Sequence, residues 1–205
     1  MAVRAGAFEH VAGFDEEYFA YYDDLDLGWR LWLAGYAVHY VPSAVCRHRR
    51  SATSRTFPPE QIRRLQIRNA LLTCVKNYAE ESLERTLPAL VALAARRSFV
   101  MARCREGPGF ALGARSLQGF LHRVLLRRGF LPRLAKADLL GLNDVLGRFE
   151  HWTQRRAQVQ ALSRRAEPEI LRLFVDPFWC VEGERGYVEL QRELCARHGI
   201  DRLFE

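Results

Sequence analysis

Residues 13–30 read GFDEEYFAYYDDLDLGWR, an aromatic-rich loop that runs into the start of a helix. From Asp23 onward the apolar side chains recur at the one-face spacing of an amphipathic helix. Asp23 is expected as the N-cap, and Gly35 as the C′ residue that ends the helix. The pattern therefore predicts a helix that carries two adjacent carboxylates, Asp23 and Asp24, at its N-terminus. The apolar positions are Leu25, Trp29, Trp32 and Leu33.

A short β-prone run, residues 36–41, follows this helix and ends at Pro42, which cannot continue a strand ladder. Loop, helix and strand in this order are typical of an α/β unit. Beyond the two prolines at 58 and 59 the apolar pattern becomes helical. We therefore expect an α/β segment over 1–56, a basic helical region over 57–167 and a mixed C-terminal tail over 168–205. The predicted helices cover 62–75, 83–105, 112–128, 134–163 and 188–197.

The charge of the chain is basic and unevenly distributed. The net charge of +7 comes almost wholly from arginine, and residues 96–165 contain fifteen Arg or Lys against four acids. Such a surface attracts anions, and we expect an anionic membrane surface as a partner. Nucleic acid is not expected, because no groove-reading or RNA-stacking motif is present. The five cysteines are odd in number and widely spread, which argues against a disulfide framework or a zinc knuckle.

Targeting signals are not evident in the sequence. The longest apolar run, 87–95, is interrupted by Pro88 and is far shorter than the roughly 20 residues of a membrane span. The first ten residues lack the apolar core of a secretory signal. We therefore expect a cytoplasmic protein, with peripheral attachment to the inner face of the membrane as a further expectation.

A carboxylate at a helix N-terminus is a fixed acceptor of a hydrogen bond or a proton, so Asp24 is a candidate general base. A purely structural explanation also exists. Asp23 and Asp24 would cap the helix, and Asp26 would pair with Arg30 at i, i+4. For Trp29, packing in the core is favoured over stacking on a sugar.

The same stretch resembles the G-G-F-D-E … E-D-x-D-L-x-x-R region of glycosyltransferase family 2, the inverting GT-A enzymes that include bacterial rhamnosyl- and galactofuranosyltransferases. The resemblance implies that the α/β segment is a remnant of a GT-A domain. It also implies that Asp24 is the catalytic base, with Asp23 in place of the usual Glu. Tyr22, Asp23, Asp26 and Arg30 would then line the acceptor site.

Two further patterns extend the resemblance. The family's G-Y-x-V-x-Y-x-P-x-A followed by a histidine is matched by residues 35–44 and His48. This match implies that His48 helps to hold a divalent cation, Mg²⁺ or Mn²⁺, on the donor diphosphate; the alternative is a surface histidine in an arginine-rich loop. A weaker match to an R-N … K-N-Y helix covers 68–78. Ala12 replaces one of two usual glycines, which matters only if position 12 needs a positive φ.

The activity that the resemblance implies is inverting transfer of a sugar from a nucleotide-sugar donor to a glycan or lipid-linked acceptor of the cell envelope or a polysaccharide. Such a transfer needs a base for the acceptor hydroxyl and a cation for the leaving diphosphate. No D-x-D precedes Asp23, and no glycine-rich phosphate loop occurs elsewhere. We therefore expect an acceptor-side, C-terminal portion that lacks the nucleotide-binding half and is inactive alone. The alternative is a non-catalytic, membrane- or partner-binding helical module derived from a glycosyltransferase.

Overall fold

The structure is a computed structural model, and it describes residues 1–47, 56–101, 133–175 and 185–205. Within these ranges every regular element is helical. Two 3₁₀ turns, Glu16–Tyr18 and Asp201–Leu203, accompany the α-helices. The α-helices are α1 (Ala5–His10), α2 (Asp23–Leu33), α3 (Pro59–Asn77), α4 (Glu80–Met101), α5 (Arg133–Leu146), α6 (Phe149–Gln160), α7 (Glu167–Leu171) and α8 (Arg185–His198).

The expected strand at 36–41 is absent, so the prediction of an α/β GT-A remnant is wrong for the part of the chain that the structure describes. This run is non-helical and unpaired, and the side chain of Tyr40 is 89% exposed. A β-prone run gains its hydrogen bonds only against a neighbouring strand, and none of the described residues supplies one. The boundaries at 56/57 and 167/168 remain predictions.

The helix predicted after Asp23 is confirmed as α2. Its N-cap is Tyr22, one residue earlier than expected. Its C-terminus is a Schellman motif, in which Tyr36 N–H donates to Leu31 O at 2.9 Å and Gly35 N–H to Trp32 O at 3.0 Å. Gly35 has a φ of +86°, which a residue with a side chain rarely adopts. The position of Gly35 therefore correctly predicted the end of α2.

Helix α3 is the centre of the bundle, because it packs against α2, α4, α5 and α6. The helical pattern predicted over 134–163 is present, but it forms two helices that separate at 147–148. The helices predicted over 83–105 and 188–197 correspond to α4 and α8; residues 102–105 and the prediction over 112–128 lie outside the described ranges. The main core cluster includes Tyr18, Trp29, Leu33, Leu72, Val75, Trp152, Ile170 and Leu171.

Charged side chains from later segments cover the ends of the central helices. Arg156 of α6 donates to the carbonyl oxygens of Val75, at 2.8 Å, and Tyr78, and Gln160 also binds this C-terminal end of α3. At the start of α4, Glu167 accepts hydrogen bonds from Ala79 N at 2.6 Å and from a serine hydroxyl. Both contacts match the helix dipole, with a cation at the C-terminus and an anion at the N-terminus.

Some of the basic side chains of the 96–165 region therefore form ion pairs within the protein. Arg148 pairs with Glu17, Arg155 with Asp15 and Arg156 with Glu80, so these arginines of the 96–165 region serve intramolecular contacts. None of the helices in the described ranges combines the length and apolarity needed to cross a bilayer.

Helices α3 and α5 approach each other closely at Gly141. A Cβ atom at this position would lie 2.8 Å from the carbonyl oxygen of Arg64 and 3.1 Å from Ile67 Cβ. Two ion pairs at 2.5 Å, Arg63–Asp138 and Arg64–Asp144, flank the crossing. The absence of a side chain at Gly141 therefore allows the two helices to approach each other this closely.

We expect Gly141→Ala to lower the free energy of unfolding by about 1–3 kcal/mol, because the added methyl group overlaps backbone of α3. Gly28→Ala is the matched control. It lies inside α2 with no atom within 4 Å of the added Cβ, so better helix propensity should stabilise the protein by about 0.5–1 kcal/mol. Urea denaturation followed by circular dichroism measures both changes. Equal effects of the two substitutions would contradict the close approach.

Candidate functional site

The loop before α2 is held in a strained conformation. Phe19, Tyr21 and Tyr22 have φ values of 60°, 70° and 65°, in the left-handed region that residues with a side chain rarely occupy. Each such residue costs about 1–2 kcal/mol relative to ordinary backbone. Strain of this kind persists only where the surrounding structure imposes it, and it is concentrated at functional sites.

The side chain of Asn69, in α3, holds the loop in this conformation. Its side-chain nitrogen lies 3.0, 2.8 and 2.9 Å from the carbonyl oxygens of Tyr18, Ala20 and Tyr21. The side chain is completely buried. Because the loop carbonyls have no sheet or helix partner, this amide satisfies polar groups that would otherwise be costly.

Glu17 fixes the loop from the opposite side. Its backbone carbonyl accepts a 2.6 Å hydrogen bond from Arg68, and its carboxylate contacts Arg148 at 3.1 Å and His151 at 3.0 Å. The hydrogen bond from Arg148 lowers the pKa of Glu17, an effect that partial burial opposes. The loop is thus tied to both α3 and α6.

A buried ion network joins the loop, α2 and α3. Lys76 Nζ lies 2.6 Å from Asp15 Oδ2 and 3.1 Å from Asp26 Oδ1. Arg30 Nε lies 2.8 Å from Asp26 Oδ2, and the Tyr18 hydroxyl donates to Asp26 at 3.2 Å. All five side chains are buried. Two acids against two bases keep the network neutral, which is the condition under which charges can be buried.

The pKa of Asp15 shows how strong the pairing is. Burial alone would raise this pKa, but the hydrogen bond and positive charge of Lys76, with a smaller contribution from Arg155, lower it to about 2. Since the folded state holds the carboxylate more tightly than the unfolded chain, the ionised form contributes to stability at neutral pH.

Asp24 is not part of this network and is exposed in the first turn of α2. Its Oδ1 accepts a 2.9 Å hydrogen bond from the backbone N–H of Leu25. The residue belongs to the rim of a cleft of about 770 Å³ whose lining also includes α3, α4 and α8. Tyr21, Tyr22 and Leu25 form the adjacent wall. A carboxylate in this place can accept a proton from a group held in the cleft.

Tyr22 adds a donor to the same wall. Burial raises the pKa of its phenol, with a further contribution from Cys74, while Arg97 and Arg63 act in the opposite direction. The hydroxyl therefore stays protonated near neutral pH. It can donate a hydrogen bond to a ligand beside Asp24.

The five candidates on this segment divide into two groups. Asp24 and Tyr22 line the cleft, and Asp23 is half-buried next to them. Asp26 and Arg30 lie in the buried network, 0% and 3% exposed, and form the expected i, i+4 pair. Their contacts support the segment from inside. Their predicted place on the acceptor site, like the catalytic role of Asp24, stays a prediction.

Position 12 does have a positive φ. Ala12 is at 59° and Gly13 at 62°, and a Cβ at Gly13 would lie 2.9 Å from the ring of Phe8. The alanine therefore occupies a conformation that glycine adopts without strain. This is the position at which the resembling family usually has a second glycine.

The cation expected from the resemblance finds no ligand set in the described ranges. No group of three His, Cys, Asp or Glu side chains that could hold a metal occurs there, and His48 lies outside them. The oxygens of Asp26 are engaged by Lys76, Arg30 and Tyr18. The described residues therefore do not form a metal site.

Sequence reasoning did not assign roles to Asp15, Asn69 and Lys76. The sequence does contain a signal for Lys76, because it is one of only two lysines among 31 basic residues and it interrupts an apolar helical pattern. Its partners, however, lie 50 and 61 residues away, and only the packing of α2 and the loop on α3 brings them together.

Similarity to known proteins is confined to a short stretch of the chain. Over 56 residues, 27% of this chain, it is 52% identical to the N-acetylglucosaminyl-diphospho-decaprenol L-rhamnosyltransferase of Mycobacterium tuberculosis, and the match covers 18% of that protein. Over 57 residues it is 46% identical to rhamnosyltransferase WbbL of Escherichia coli (strain K12), covering 22% of it. The chain thus matches only about a fifth of the length of these curated relatives.

No protein-family model matches the chain, and no solved structure matches it. The resemblance to rhamnosyltransferases that the motifs indicated is confirmed over this short segment.

The Asp15 pKa predicts a specific acid sensitivity. Its stabilising contribution, about 2 kcal/mol, should be complete above pH about 4 and should disappear as the pH falls toward 2. Asp15→Asn should be less stable at pH 7 and should lose less stability across this window. Urea unfolding at each pH measures the slope. Glu16→Gln, an exposed neighbour, is the control that should keep the wild-type slope, and a wild-type slope in Asp15→Asn would contradict the assignment.

Removal of the Asn69 amide should release the strained loop. We expect Asn69→Ala to lower the free energy of unfolding by about 1–3 kcal/mol, because the carbonyl groups of Ala20 and Tyr21 lose their side-chain donor. Asn143→Ala, on the exposed face of α5, should change it by no more than about 0.5 kcal/mol. A small effect of Asn69→Ala in the same urea titration would show that the loop does not need this clamp.

Proposed function

We propose that this chain forms the acceptor-side part of an inverting glycosyltransferase in which Asp24 is the general base. The observation that carries the proposal is the placement of Asp24. It is an exposed carboxylate at a helix N-terminus, on the rim of the cleft, presented by a loop that buried contacts hold in a strained conformation. Such a rigid supporting shell is typical of catalytic groups. Similarity to two rhamnosyltransferases over a short segment supports the same reaction class.

In the proposed reaction an acceptor hydroxyl lies in the cleft against the carboxylate of Asp24. The hydroxyl oxygen attacks the anomeric carbon of the donor sugar, and Asp24 takes the hydroxyl proton as the new C–O bond forms. The bond from the anomeric carbon to the diphosphate breaks, the nucleoside diphosphate leaves with the electron pair, and the anomeric centre is inverted. Tyr22 would orient the acceptor by donating a hydrogen bond from its protonated phenol.

The donor side is the second part of the proposal. The 205-residue sequence has no D-x-D before Asp23 and no glycine-rich phosphate loop. We therefore propose that residues outside this sequence supply the donor site, where a bound divalent cation would supply positive charge to the leaving diphosphate. His48 remains the proposed ligand from this chain. Isothermal titration of the isolated chain with nucleotide-sugars and Mn²⁺ should show no specific binding; micromolar affinity would contradict this division of the site.

The acceptor class is proposed from one of the relatives. The mycobacterial relative is named for transfer of rhamnose to N-acetylglucosaminyl-diphospho-decaprenol, a lipid-linked sugar. We extend this acceptor class to the present chain and propose that transfer takes place at the cytoplasmic face of the membrane, where the chain would be peripherally bound.

The Asp24→Asn substitution tests the role of the base. In the complete polypeptide that carries these residues, transfer of rhamnose from its nucleotide donor to the lipid-linked acceptor should fall by about 10²–10⁴-fold. The fold should be unchanged, because Asp24 is exposed and makes only a local hydrogen bond.

Asp201→Asn, an exposed aspartate in the C-terminal 3₁₀ turn, is the control and should retain wild-type turnover. Mass spectrometry of the glycolipid product measures transfer. Undiminished turnover by Asp24→Asn would remove Asp24 as the base. A folded wild-type polypeptide without any transfer activity would favour the alternative, a non-catalytic module.

A further inference from the structure

The carboxylate of Glu17 connects the loop before α2 to helix α6. Arg148 binds it through two parallel hydrogen bonds, from Nη1 to Oε2 at 3.1 Å and from Nη2 to Oε1 at 3.2 Å. His151 Nε2 lies 3.0 Å from the same Oε1, so two residues 131 and 134 positions further along the chain meet at this carboxylate. A bidentate pair fixes the direction of approach as well as the distance. The contact therefore determines where Glu17 lies relative to α6.

The α6 side of this contact is supported by the core. Arg148 is the N-cap residue of α6, and its guanidinium carbon lies 4.8 Å from the centre of the Trp152 ring. Trp152 is 1% exposed and belongs to the main core cluster. The hydrogen bond to Glu17 also raises the pKa of Arg148, so each partner stabilises the charged form of the other. Because stacking on a buried ring restricts the guanidinium, Arg148 offers Glu17 a fixed partner.

The loop depends on contacts with other elements, because its own backbone conformation is unfavourable. Phe19, Tyr21 and Tyr22 have left-handed φ values and would relax toward ordinary values in a loop without such contacts. Tyr22 and Asp24, which line the cleft, lie at the end of this strained segment and directly after it. Relaxation would therefore move the proposed base and the neighbouring phenol away from the place of the acceptor.

The exposure of the contact argues against a mainly stabilising role. Between about a third and a half of each of the three side chains, Glu17, Arg148 and His151, is exposed. Ion pairs with this exposure contribute little to the free energy of unfolding, because water and salt screen them. The main consequence of the contact is therefore the position of the loop. It can be removed without the buried charges and carbonyl groups that Lys76 and Asn69 satisfy being left unpaired.

We propose that Arg148 and His151 are positioning residues, which act through Glu17 to hold Tyr22 and Asp24 at the cleft. The proposal rests on the proposed function and deepens it, because it gives helix α6 a part in the reaction. Neither Arg148 nor His151 belongs to the described residues that line this cleft, so they act on the acceptor only through the loop. Their effect is to keep the base where it can take the hydroxyl proton.

Steady-state transfer by the complete polypeptide tests this assignment. Glu17→Gln removes the charge at nearly unchanged size and should lower kcat roughly 10–100-fold, because a displacement of about 1 Å at a catalytic group has an effect of this size. KM for the lipid-linked acceptor should change less than about twofold, since Glu17 does not bind it. Arg148→Gln should lower kcat by a smaller factor, because His151 still contacts Glu17. The double variant should be no slower than Glu17→Gln, because both substitutions remove one contact.

Glu193→Gln is the matched control. It removes an exposed pair with Arg197, 2.9 Å long, on α8, and should retain wild-type kcat. Hydrogen exchange followed by mass spectrometry gives a second readout that needs no turnover. Glu17→Gln should exchange faster than wild type in peptides from the loop and the start of α2, and at the wild-type rate in α8. Wild-type kcat in Glu17→Gln, or a raised KM at unchanged kcat, would overturn the positioning role.

The outcome is distinguishable from failure of the proposed function. Undiminished transfer by Asp24→Asn would remove the base, and the positioning of that base with it. Transfer that is lost in Asp24→Asn but unchanged in Glu17→Gln would overturn the positioning role alone and leave the base assignment intact. Faster exchange of the loop together with a lowered kcat in Glu17→Gln, at unchanged KM, is the result that supports both.

Discussion

The buried ammonium group of Lys76 is the contact on which the arrangement of the site depends. It lies between Asp15 of the loop and Asp26 of α2, 4.5 Å from the centre of the Tyr18 ring, while its backbone belongs to α3. Removing one member of such a network typically costs about 3–5 kcal/mol, because the remaining charge is left buried without a partner. A single side chain thus determines how three separate segments of the chain meet.

This contact also affects the loop before α2 and the carboxylates at the start of that helix. Once Asp15 and Asp26 are fixed on α3, the seven residues between Asp15 and the start of α2 must turn within a short distance, and three aromatic residues adopt left-handed backbone. Asn69 satisfies the carbonyl groups that this turn exposes. Asp24 lies on the exposed side of α2, at the cleft, while Asp26 two residues later points into the protein. The opposite orientation of these two carboxylates follows from the helical repeat.

Helix α3 serves both sides of the site because its two faces differ. Asn69, Thr73 and Lys76 lie on one face and hold the loop, whereas Ile67, Ala70 and Leu71 line the cleft. In a helix, residues three or four apart share a face, so one element can present a polar network and an apolar wall at the same time. The match to the weak R-N … K-N-Y pattern lies on this helix, and its polar members belong to the network rather than to solvent.

The sequence by itself determined the longer helical segments, the end of α2 at Gly35 and the carboxylate pair at its start, because helix periodicity, capping and glycine conformation are local properties. It did not determine what happens to 36–41, whose strand character depends on a neighbour that the described residues do not supply. Nor did it show that Asp26 and Arg30 are buried, that Asp15 and Lys76 form a pair, or that α3 and α4 enclose a cleft at Asp24. Only the tertiary structure decided these features, because each depends on residues that are distant in the chain and meet only through packing.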